Sequence, residues 1–561
     1  MRCVPHPVLA ALLTLSACYE GPDSTFVDAP ESSSSTADEG DSTGSPLDPD
    51  ESGCDSSVGP AVVRRLTRFE YDNTVRDLLG TAQRPAQAFA AEEELNGFDN
   101  NGAVRTVGEL HAEQYMMAGE MLAAEAIADP AALLGCDVDV VGEDACVDAF
   151  VRRFARRAYR RPLADDDVEA LLAVYAQGRG DGLAPALGLV VQTVLSSPWF
   201  LYRIEIGQGA PDEHGTIALR DVEIASRLSY FLWGSLPDDV LLADAETGEL
   251  HEPEQIAAHA ERLLEDPRAH ATIADLHRQL MDLDALATTA KDPVAFPAWN
   301  DDVRDSMLEE TQRFAADVVL VDDGRLATLL GGRYTFVDAT LAAYYELGGV
   351  DAGDEPVRVE LAPDQPRGGL LAHGALLAVL GKYGTTAPVQ RGKFVRETLL
   401  CQPMPPPPDN VDFDPPSDDP DATMRERYAE HSANPSCAAC HRLIDPIGFG
   451  FEAFDGAGRW RADEHGLPID ASGELVGTDV DGPFVGTAEL ADRLAMSRVA
   501  HDCWTTQMFR WALGRAETEA DECTLERLRE RFAEDGDVRA LLVEITRTPA
   551  FRSVRPAEES P

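Results

Sequence analysis

Positive charge is scarce in this chain. Its 561 residues include 47 lysines and arginines against 100 aspartates and glutamates, which gives a formal net charge of -53 at pH 7. Proteins that bind nucleic acids or anionic membrane surfaces do so largely through basic side chains. The composition therefore argues against DNA, RNA and an anionic membrane surface as partners, whereas it permits docking of a cationic redox partner.

Long apolar runs are also missing. The most apolar stretch after the N-terminus, residues 183–202, is interrupted by Gln192, Thr193, Ser196, Ser197 and Pro198. Because a membrane-spanning helix needs about 20 mainly apolar residues, this stretch predicts a buried helix instead. Hydrophobic residues still make up 44% of the chain, so a core of ordinary size is expected.

Several catalytic signatures do not occur in the sequence. It contains neither the H-E-x-x-H motif of zinc proteases nor a Walker A loop. It also lacks a second C-x-x-C and any pair of histidines at the spacing found in zinc fingers, and a structural zinc site typically needs one of these. Protease and nucleotide-hydrolase classes therefore have no support.

The sequence does contain Cys437-Ala438-Ala439-Cys440-His441. The pattern C-x-x-C-H is typical of c-type haem attachment. Two thiols three positions apart lie close together on a helix, where each can form a thioether to one vinyl group of the same porphyrin. His441 is then the proximal iron ligand. The alternatives are a reduced cysteine pair, a disulfide or half of a zinc site.

The predicted cofactor is thus one covalent haem c. A proximal imidazole usually donates its second N–H to a carbonyl or carboxylate, which the nearby Ile444-Asp445-Pro446 segment can supply. Arg459 and Arg461 are candidates to pair with the haem propionates; the alternative is ordinary packing in a small domain. The sixth iron ligand stays open, and its candidates are His431, Met496 and Met508, with His465 and His501 as weaker ones.

The N-terminus has the features of an export signal. Residues 1–18 contain Arg2, an apolar run over residues 8–15 and small residues before Cys18. Leu15-Ser16-Ala17-Cys18 matches a lipobox, which predicts lipidation of Cys18; the alternative is a plain signal peptide. The following stretch is rich in Ser, Asp, Glu, Gly and Pro and predicts a disordered acidic tether.

Ten cysteines are present. Cys3 leaves with the signal, and the lipobox and haem motif take three more. The six that remain suggest three disulfides in an exported chain. Short spacing favours Cys136–Cys146 and Cys503–Cys523, and elimination then leaves Cys54–Cys401, although sequence alone does not fix the connectivity.

Helical periodicity covers most of the chain after the tether. The first helix shows a capping box, Thr67-x-x-Glu70, and a terminating Gly80. The expected fold class is mainly α, a multi-domain helical body with a C-terminal cytochrome c-like haem module. The predicted segments are 1–17 (lipoprotein signal peptide), 18–57 (tether), 58–130 (N-terminal helical domain), 131–205 (small helical domain), 206–350 (central helical domain), 351–480 (haem domain) and 481–561 (C-terminal helical domain).

Several stretches resemble the planctomycete-type cytochrome c-like secreted proteins, a family built from a string of domains of unknown function. The resemblance implies a c-type haem and a location at the envelope or surface, and it implies a histidine near the place of His431. The stretches that carry it are RRLTRFEYDNTVRDLLG (64–80), NGFDNNG (96–102), FVRRFARRAYRRPL (150–163), LRDVEIASRLSYFLWGSLPDD (219–239), RYTFVDATLAAYY (333–345), APVQRGKFVRETLLCQPMPPPPDNV (387–411), NPSCAACHRLIDPIGFGFEAFDGAGRWR (434–461) and WTTQMFRWALGR (504–515).

Three functions are compatible with these observations. The leading hypothesis is electron transfer by a monohaem protein that is lipid-anchored to the bacterial envelope, at the outer membrane or cell surface. The second is a haem-dependent oxidoreductase, a peroxidase or dehydrogenase with an extracytoplasmic substrate. Lys382, Tyr383 and Arg391 are its candidate cleft residues, but structural salt bridges are the favoured role for them. The third is a non-enzymatic surface binding protein.

Overall fold

Helices make up most of the structure, which confirms the predicted mainly α fold class. The computed structural model describes residues 58–102, 107–405, 419, 421–432 and 435–556, without the side chains of 429–432 and 435–437. The predicted signal peptide, lipobox and tether lie outside the described residues.

The helices follow one another through connections that are mostly short. The first group is α1 (Arg68–Leu79), α2 (Glu109–Ala126), α3 (Pro130–Leu134), α4 (Val138–Val141), α5 (Glu143–Tyr159), α6 (Asp165–Gly178), α7 (Leu183–Leu195) and α8 (Pro198–Leu201). The second is α9 (Asp221–Trp233), α10 (Asp239–Thr247), α11 (Pro253–Leu264), α12 (Arg268–Leu280), α13 (Asp301–Leu320), α14 (Leu326–Gly331) and α15 (Ala339–Tyr344). The third is α16 (Gly374–Val379), α17 (Pro388–Phe394), α18 (Met424–Ser432), α19 (Pro435–Phe449), α20 (Gly486–Met496), α21 (Arg498–Leu513), α22 (Glu522–Asp535), α23 (Val538–Arg547) and α24 (Pro549–Arg552).

The strands of the described residues form five antiparallel two-stranded ribbons. They hold neighbouring helices in place and build no larger sheet. The pairs are β1 (Arg64–Arg65) with β2 (Tyr202–Arg203), β3 (Ile217–Ala218) with β10 (Ser553–Val554), β4 (Tyr334–Val337) with β5 (Val357–Glu360), β6 (Asp463–Glu464) with β7 (Leu467–Pro468), and β8 (Ser472–Leu475) with β9 (Gly482–Val485).

Local sequence signals set several helix ends. In α1, the Thr67 side chain accepts from the Glu70 backbone N–H while the Glu70 carboxylate accepts from Thr67, as the capping box predicts. Gly80 ends this helix in the left-handed conformation, at φ 71°. The apolar stretch 183–202 is helical and largely buried, but α7 ends at Leu195 and the next helix begins at Pro198.

Two hydrophobic clusters form the core. One is built mainly from α1 to α8, where α7 packs against α2 and α6. The other extends from α9 to the end of the described chain and includes the contacts of α12 with α13 and of α11 with α23. This second cluster therefore buries side chains from both the central and the C-terminal parts of the sequence.

The two ends of the described chain meet at a buried ion cluster, defined as Arg64, Arg203, Arg227, Glu70 and Glu205. Arg64 Nη2 lies 2.9 Å from the Glu205 carboxylate, and Arg227 Nη2 lies 2.6 Å from it. Arg203 donates to Glu70 at 2.8 Å. Burial lowers the pKa of Arg64 to about 9. Two further contacts link the beginning and the end of the described chain. Arg227 donates to the Phe551 carbonyl at 2.7 Å, and the Ala61 backbone N–H donates to the Arg555 carbonyl at 2.7 Å.

Candidate functional site

The C-x-x-C-H motif lies on α19. This helix begins at Pro435, a residue favoured in the first helical turn because its ring fixes φ and its missing N–H has no intrahelical role there. The helix continues through Pro446 to Phe449. Residues four positions apart share a helix face, so His441, Asp445 and Phe449 lie along one side of it.

Two glycines let α19 and α17 touch backbone to backbone. A Cβ atom at Gly392 of α17 would lie 2.0 Å from the Ile444 carbonyl oxygen. A Cβ atom at Gly448 of α19 would lie 1.9 Å from the Pro388 carbonyl oxygen. Real Cβ atoms do not approach this closely, so glycine is required on both helices. This crossing fixes where the motif helix lies against the body.

Arg391 holds the chain that follows α19. Its fully buried guanidinium donates to the carbonyls of Phe451, Phe454 and Asp455 at 3.0, 2.9 and 2.7 Å. The Glu452 carboxylate lies 3.5 Å away. Burial lowers the pKa of Arg391 to about 10. Since this side chain is enclosed by protein, the alternative that it lines a substrate cleft is wrong. The favoured structural role is confirmed, because Arg391 pairs with Glu452 and positions the loop.

The His441 ring contacts the carboxylate of Asp445 one turn later. Nδ1 lies 2.9 and 3.0 Å from the two carboxylate oxygens. The Asp445 side chain is 5% exposed and that of His441 16%. This hydrogen bond raises the pKa of His441 above its usual value. A proton fixed on Nδ1 leaves Nε2 as the metal-binding atom of the neutral ring.

The donor set fits a c-type haem. Cys440 has a free, partly exposed thiol directly before His441. The side chain of Cys437 lies outside the described residues, although its backbone belongs to the same helix. Beside the motif, Phe449 packs with Met424 and Tyr428 of α18 in a small apolar cluster that is separate from the two main ones. Of the described side chains on this helix, the free thiol of Cys440 and the oriented imidazole of His441 are the groups that would hold a c-type haem.

The predicted sixth ligands have diverse surroundings. Met508 is fully buried in the main core on α21, whereas Met496 is 71% exposed at the end of α20. His465 lies exposed in the turn between β6 and β7. His501 Nε2 lies 3.0 Å from the Ala495 carbonyl, and burial lowers the pKa of this ring. These four residues are not on α17, α18 or β8, the elements that pack most extensively against α19.

His431 is on α18, which does pack against α19. Its side chain lies outside the described residues, so His431 as sixth ligand stays a prediction. Arg459 and Arg461 are engaged with carboxylates of the protein: Arg459 contacts Glu346, and Arg461 lies 3.2 Å from Glu452. Their assignment to the haem propionates likewise stays a prediction.

The disulfides correct part of the sequence-based connectivity. Cys136 and Cys146 are bonded, as their short spacing predicts. Cys503, however, is bonded to Cys401. The predicted pairs Cys503–Cys523 and Cys54–Cys401 are therefore wrong, because α21 packs beside the π-helical turn Val395–Leu399 that precedes Cys401. Cys523 is also disulfide-bonded.

None of the helices in the described ranges is both long and apolar enough to span a bilayer. No curated protein and no solved structure matches the chain.

Five family models match the chain one after another, and each carries the description "Protein of unknown function". They are DUF1587 over residues 64–128, DUF1595 over 146–205, DUF1592 over 219–347, DUF1588 over 367–464 and DUF1585 over 481–551. The model for 367–464, which includes the C-x-x-C-H motif, is named PSCyt3. Together these matches are consistent with the planctomycete-type family of multidomain proteins that the sequence resembles.

Proposed function

We propose that the protein is an exported, c-type monohaem electron-transfer protein, held at the envelope by a lipid on Cys18. The observation that carries the proposal is the contact between His441 and Asp445 on the helix that bears the C-x-x-C-H motif. The match of residues 367–464 to a model with a cytochrome-like name supports the same conclusion.

In this proposal the haem supplies one-electron iron chemistry, and the protein holds and tunes it. Cys437 and Cys440 would form the two thioethers, and His441 would bind the iron through Nε2. Asp445 keeps the proton on Nδ1 and makes the imidazole a stronger donor. The close crossing at Gly392 and Gly448 keeps the whole helix at a fixed position against the body.

The proposed partner is a redox protein that presents a basic surface. A formal charge of -53 attracts such a surface, and this attraction weakens as salt screens it. Contact with a membrane is proposed only through the lipid at Cys18, and nucleic acid is not a proposed partner.

The test is expression in a host able to mature c-type cytochromes, followed by visible spectra of the oxidised, reduced and carbon-monoxide-treated protein. We expect a pyridine haemochrome of the c type at one haem per chain, and a six-coordinate spectrum that carbon monoxide does not change. Cys437→Ser with Cys440→Ser is expected to abolish covalent haem, whereas Cys136→Ser with Cys146→Ser retains it. A colourless protein with both motif thiols free would refute the proposal.

A haem-dependent oxidoreductase is the second candidate. The specific observation in its favour is that the acceptor for His441 is a buried carboxylate, a stronger partner than a carbonyl. A five-coordinate haem that binds carbon monoxide and turns over peroxide would favour this candidate over electron transfer. If the protein instead binds a surface ligand equally well with and without haem, the third function, a non-enzymatic surface binding protein, is favoured.

A further inference from the structure

A second candidate site lies far along the sequence from the haem motif. It is a groove of about 1330 Å³, bounded by the chain between α5 and α6, by α8, and by the ends of β3 and α10. The segments that form it belong to two of the matched regions, 146–205 and 219–347, and to the linker between them. We refer to it as the Trp199 groove, after the aromatic residue within it.

Trp199 is 38% exposed, which is high for an indole. Its ring is nevertheless held in place, because the Arg161 guanidinium carbon lies 4.2 Å from the ring centroid. Arg161 is itself fixed by a bidentate pair with Asp167, at 2.8 and 3.1 Å. A ring that is already oriented loses little conformational freedom when a ligand stacks on it.

The walls of the Trp199 groove are cross-linked. Arg156 of α5 donates to both carboxylate oxygens of Glu246 on α10, at 2.7 and 2.9 Å. Arg220 donates to Glu223 at 2.8 Å and anchors the start of α9. The Arg156–Glu246 pair joins α5 to α10, and the Arg220–Glu223 pair lies within the first turn of α9, so these elements of the groove are held in place before a ligand arrives.

Several of the other side chains at the groove are hydrogen-bonding groups, and the rest are apolar, among them Leu163, Leu219 and Val222. Gln208 and Thr247 are exposed there, as is the carboxylate-bearing Asp166, and Asp221 is partly exposed. The groove thus offers amide, hydroxyl and carboxylate groups beside one fixed indole ring. A ligand with an apolar face and several hydroxyl groups along its edge would match this arrangement. A pyranose ring has this combination.

We propose that the Trp199 groove binds a neutral oligosaccharide chain. The groove exceeds the volume typical of a small-molecule pocket and is open, which suits several linked sugar units. The net charge of -53 disfavours a polyanionic chain. An amphipathic peptide helix would need a continuous apolar groove, whereas charged and polar side chains interrupt the apolar lining here. This binding is independent of the haem proposal and holds whether or not haem is attached.

The test is isothermal titration of the full-length protein with cellohexaose, xylohexaose and maltohexaose, and with hexalysine as a cationic peptide probe. We expect at least one hexasaccharide to bind. Trp199→Ala should weaken that binding by about tenfold or more, as expected for a buried aromatic contact. Trp460→Ala, which removes an exposed tryptophan outside the groove, should bind as the unaltered protein does.

A second variant separates binding from folding. Thr247→Arg places a long side chain at the rim from an exposed position at the end of α10, where a cation is compatible with the helix terminus. It should keep the melting temperature and lose hexasaccharide binding. Absence of binding to all three sugars, or binding by Trp199→Ala and Thr247→Arg that equals the binding by the unaltered protein, would overturn the proposal. Binding of hexalysine alone, dependent on Trp199, would overturn it in favour of a peptide site.

Discussion

The carboxylate of Asp445 lies one helical turn beyond His441, and both of its oxygens are within 3.0 Å of the imidazole Nδ1. Because the pair lies on a single helix, its geometry depends on local helix structure. The four-residue spacing in the sequence is therefore enough to place a carboxylate on the Nδ1 side of His441, where it strengthens the proposed iron ligand as an electron donor.

We expect Asp445→Asn to raise the reduction potential of the haem. The amide still accepts a hydrogen bond but carries no charge, so the imidazole becomes a weaker donor and stabilises the oxidised iron less. Each tenfold change in relative stability of the two oxidation states corresponds to about 59 mV for one electron. Spectroelectrochemistry measures the shift, and Asp492→Asn, at an exposed position on α20, is the control. An unchanged potential would show that Asp445 does not tune the ligand.

Gly392→Ala should destabilise the protein by about 1–3 kcal/mol or prevent folding, because the added methyl group overpacks the contact with the Ile444 carbonyl. The free energy of unfolding from denaturant titration reports the loss, and the yield of attached haem should fall with it. Gly180→Ala is the matched control, since nothing lies within 4 Å of a Cβ atom built there. Equal stability of the two variants would contradict the close helix crossing.

Peptide mapping under non-reducing conditions should recover Cys401 linked to Cys503. This bond closes a sequence separation of 102 residues. On the chain-entropy estimate its removal by Cys401→Ser with Cys503→Ser costs up to about 4.7 kcal/mol of unfolding free energy. The Cys136–Cys146 bond spans only 10 residues, so its removal should cost less. A larger loss from the shorter loop would argue against this mechanism, and a Cys503–Cys523 peptide would contradict the structure.

His277 should make the fold sensitive to mild acid. The ring is fully buried on α12, its Nδ1 lies 2.8 Å from the Ile273 carbonyl, and burial lowers its pKa to about 4. Between that value and 6.5 the unfolded chain binds a proton that the folded chain does not, so stability falls as the pH falls through this window. Above pH 6.5, this lowered pKa corresponds to a contribution of roughly 3 kcal/mol to the free energy of unfolding.

Urea unfolding at pH 7 and at pH 5 measures this dependence. His277→Gln should show a smaller loss of stability between the two values than the unaltered protein shows. His251→Gln, at an exposed position, should retain the full loss. If His277→Gln leaves the pH dependence of stability unchanged, groups other than His277 cause that dependence.

The sequence predicts those features that depend on neighbours along the chain. The helical class, the capping box of Thr67 and Glu70, and an acceptor for His441 within the segment 444–446 all follow from spacing. The partner of Cys503 does not, because it depends on how α21 meets a segment about a hundred residues earlier in the chain. The burial of Arg391 is not predicted by the sequence either. Its partners are backbone carbonyl groups of residues 451–455, which carry no side-chain signal.

Closure of the two chain ends through the buried ion cluster has a consequence for the order of assembly. Arg227 needs the Phe551 carbonyl, and Ile217 pairs with Val554. During synthesis from the N-terminus, the buried Arg227 side chain therefore gains this backbone acceptor only after residue 551 has been made. The first hydrophobic cluster, built mainly from α1 to α8, needs none of these late residues, whereas the second cluster includes Phe551 and Val554 and can be completed only after they have been made.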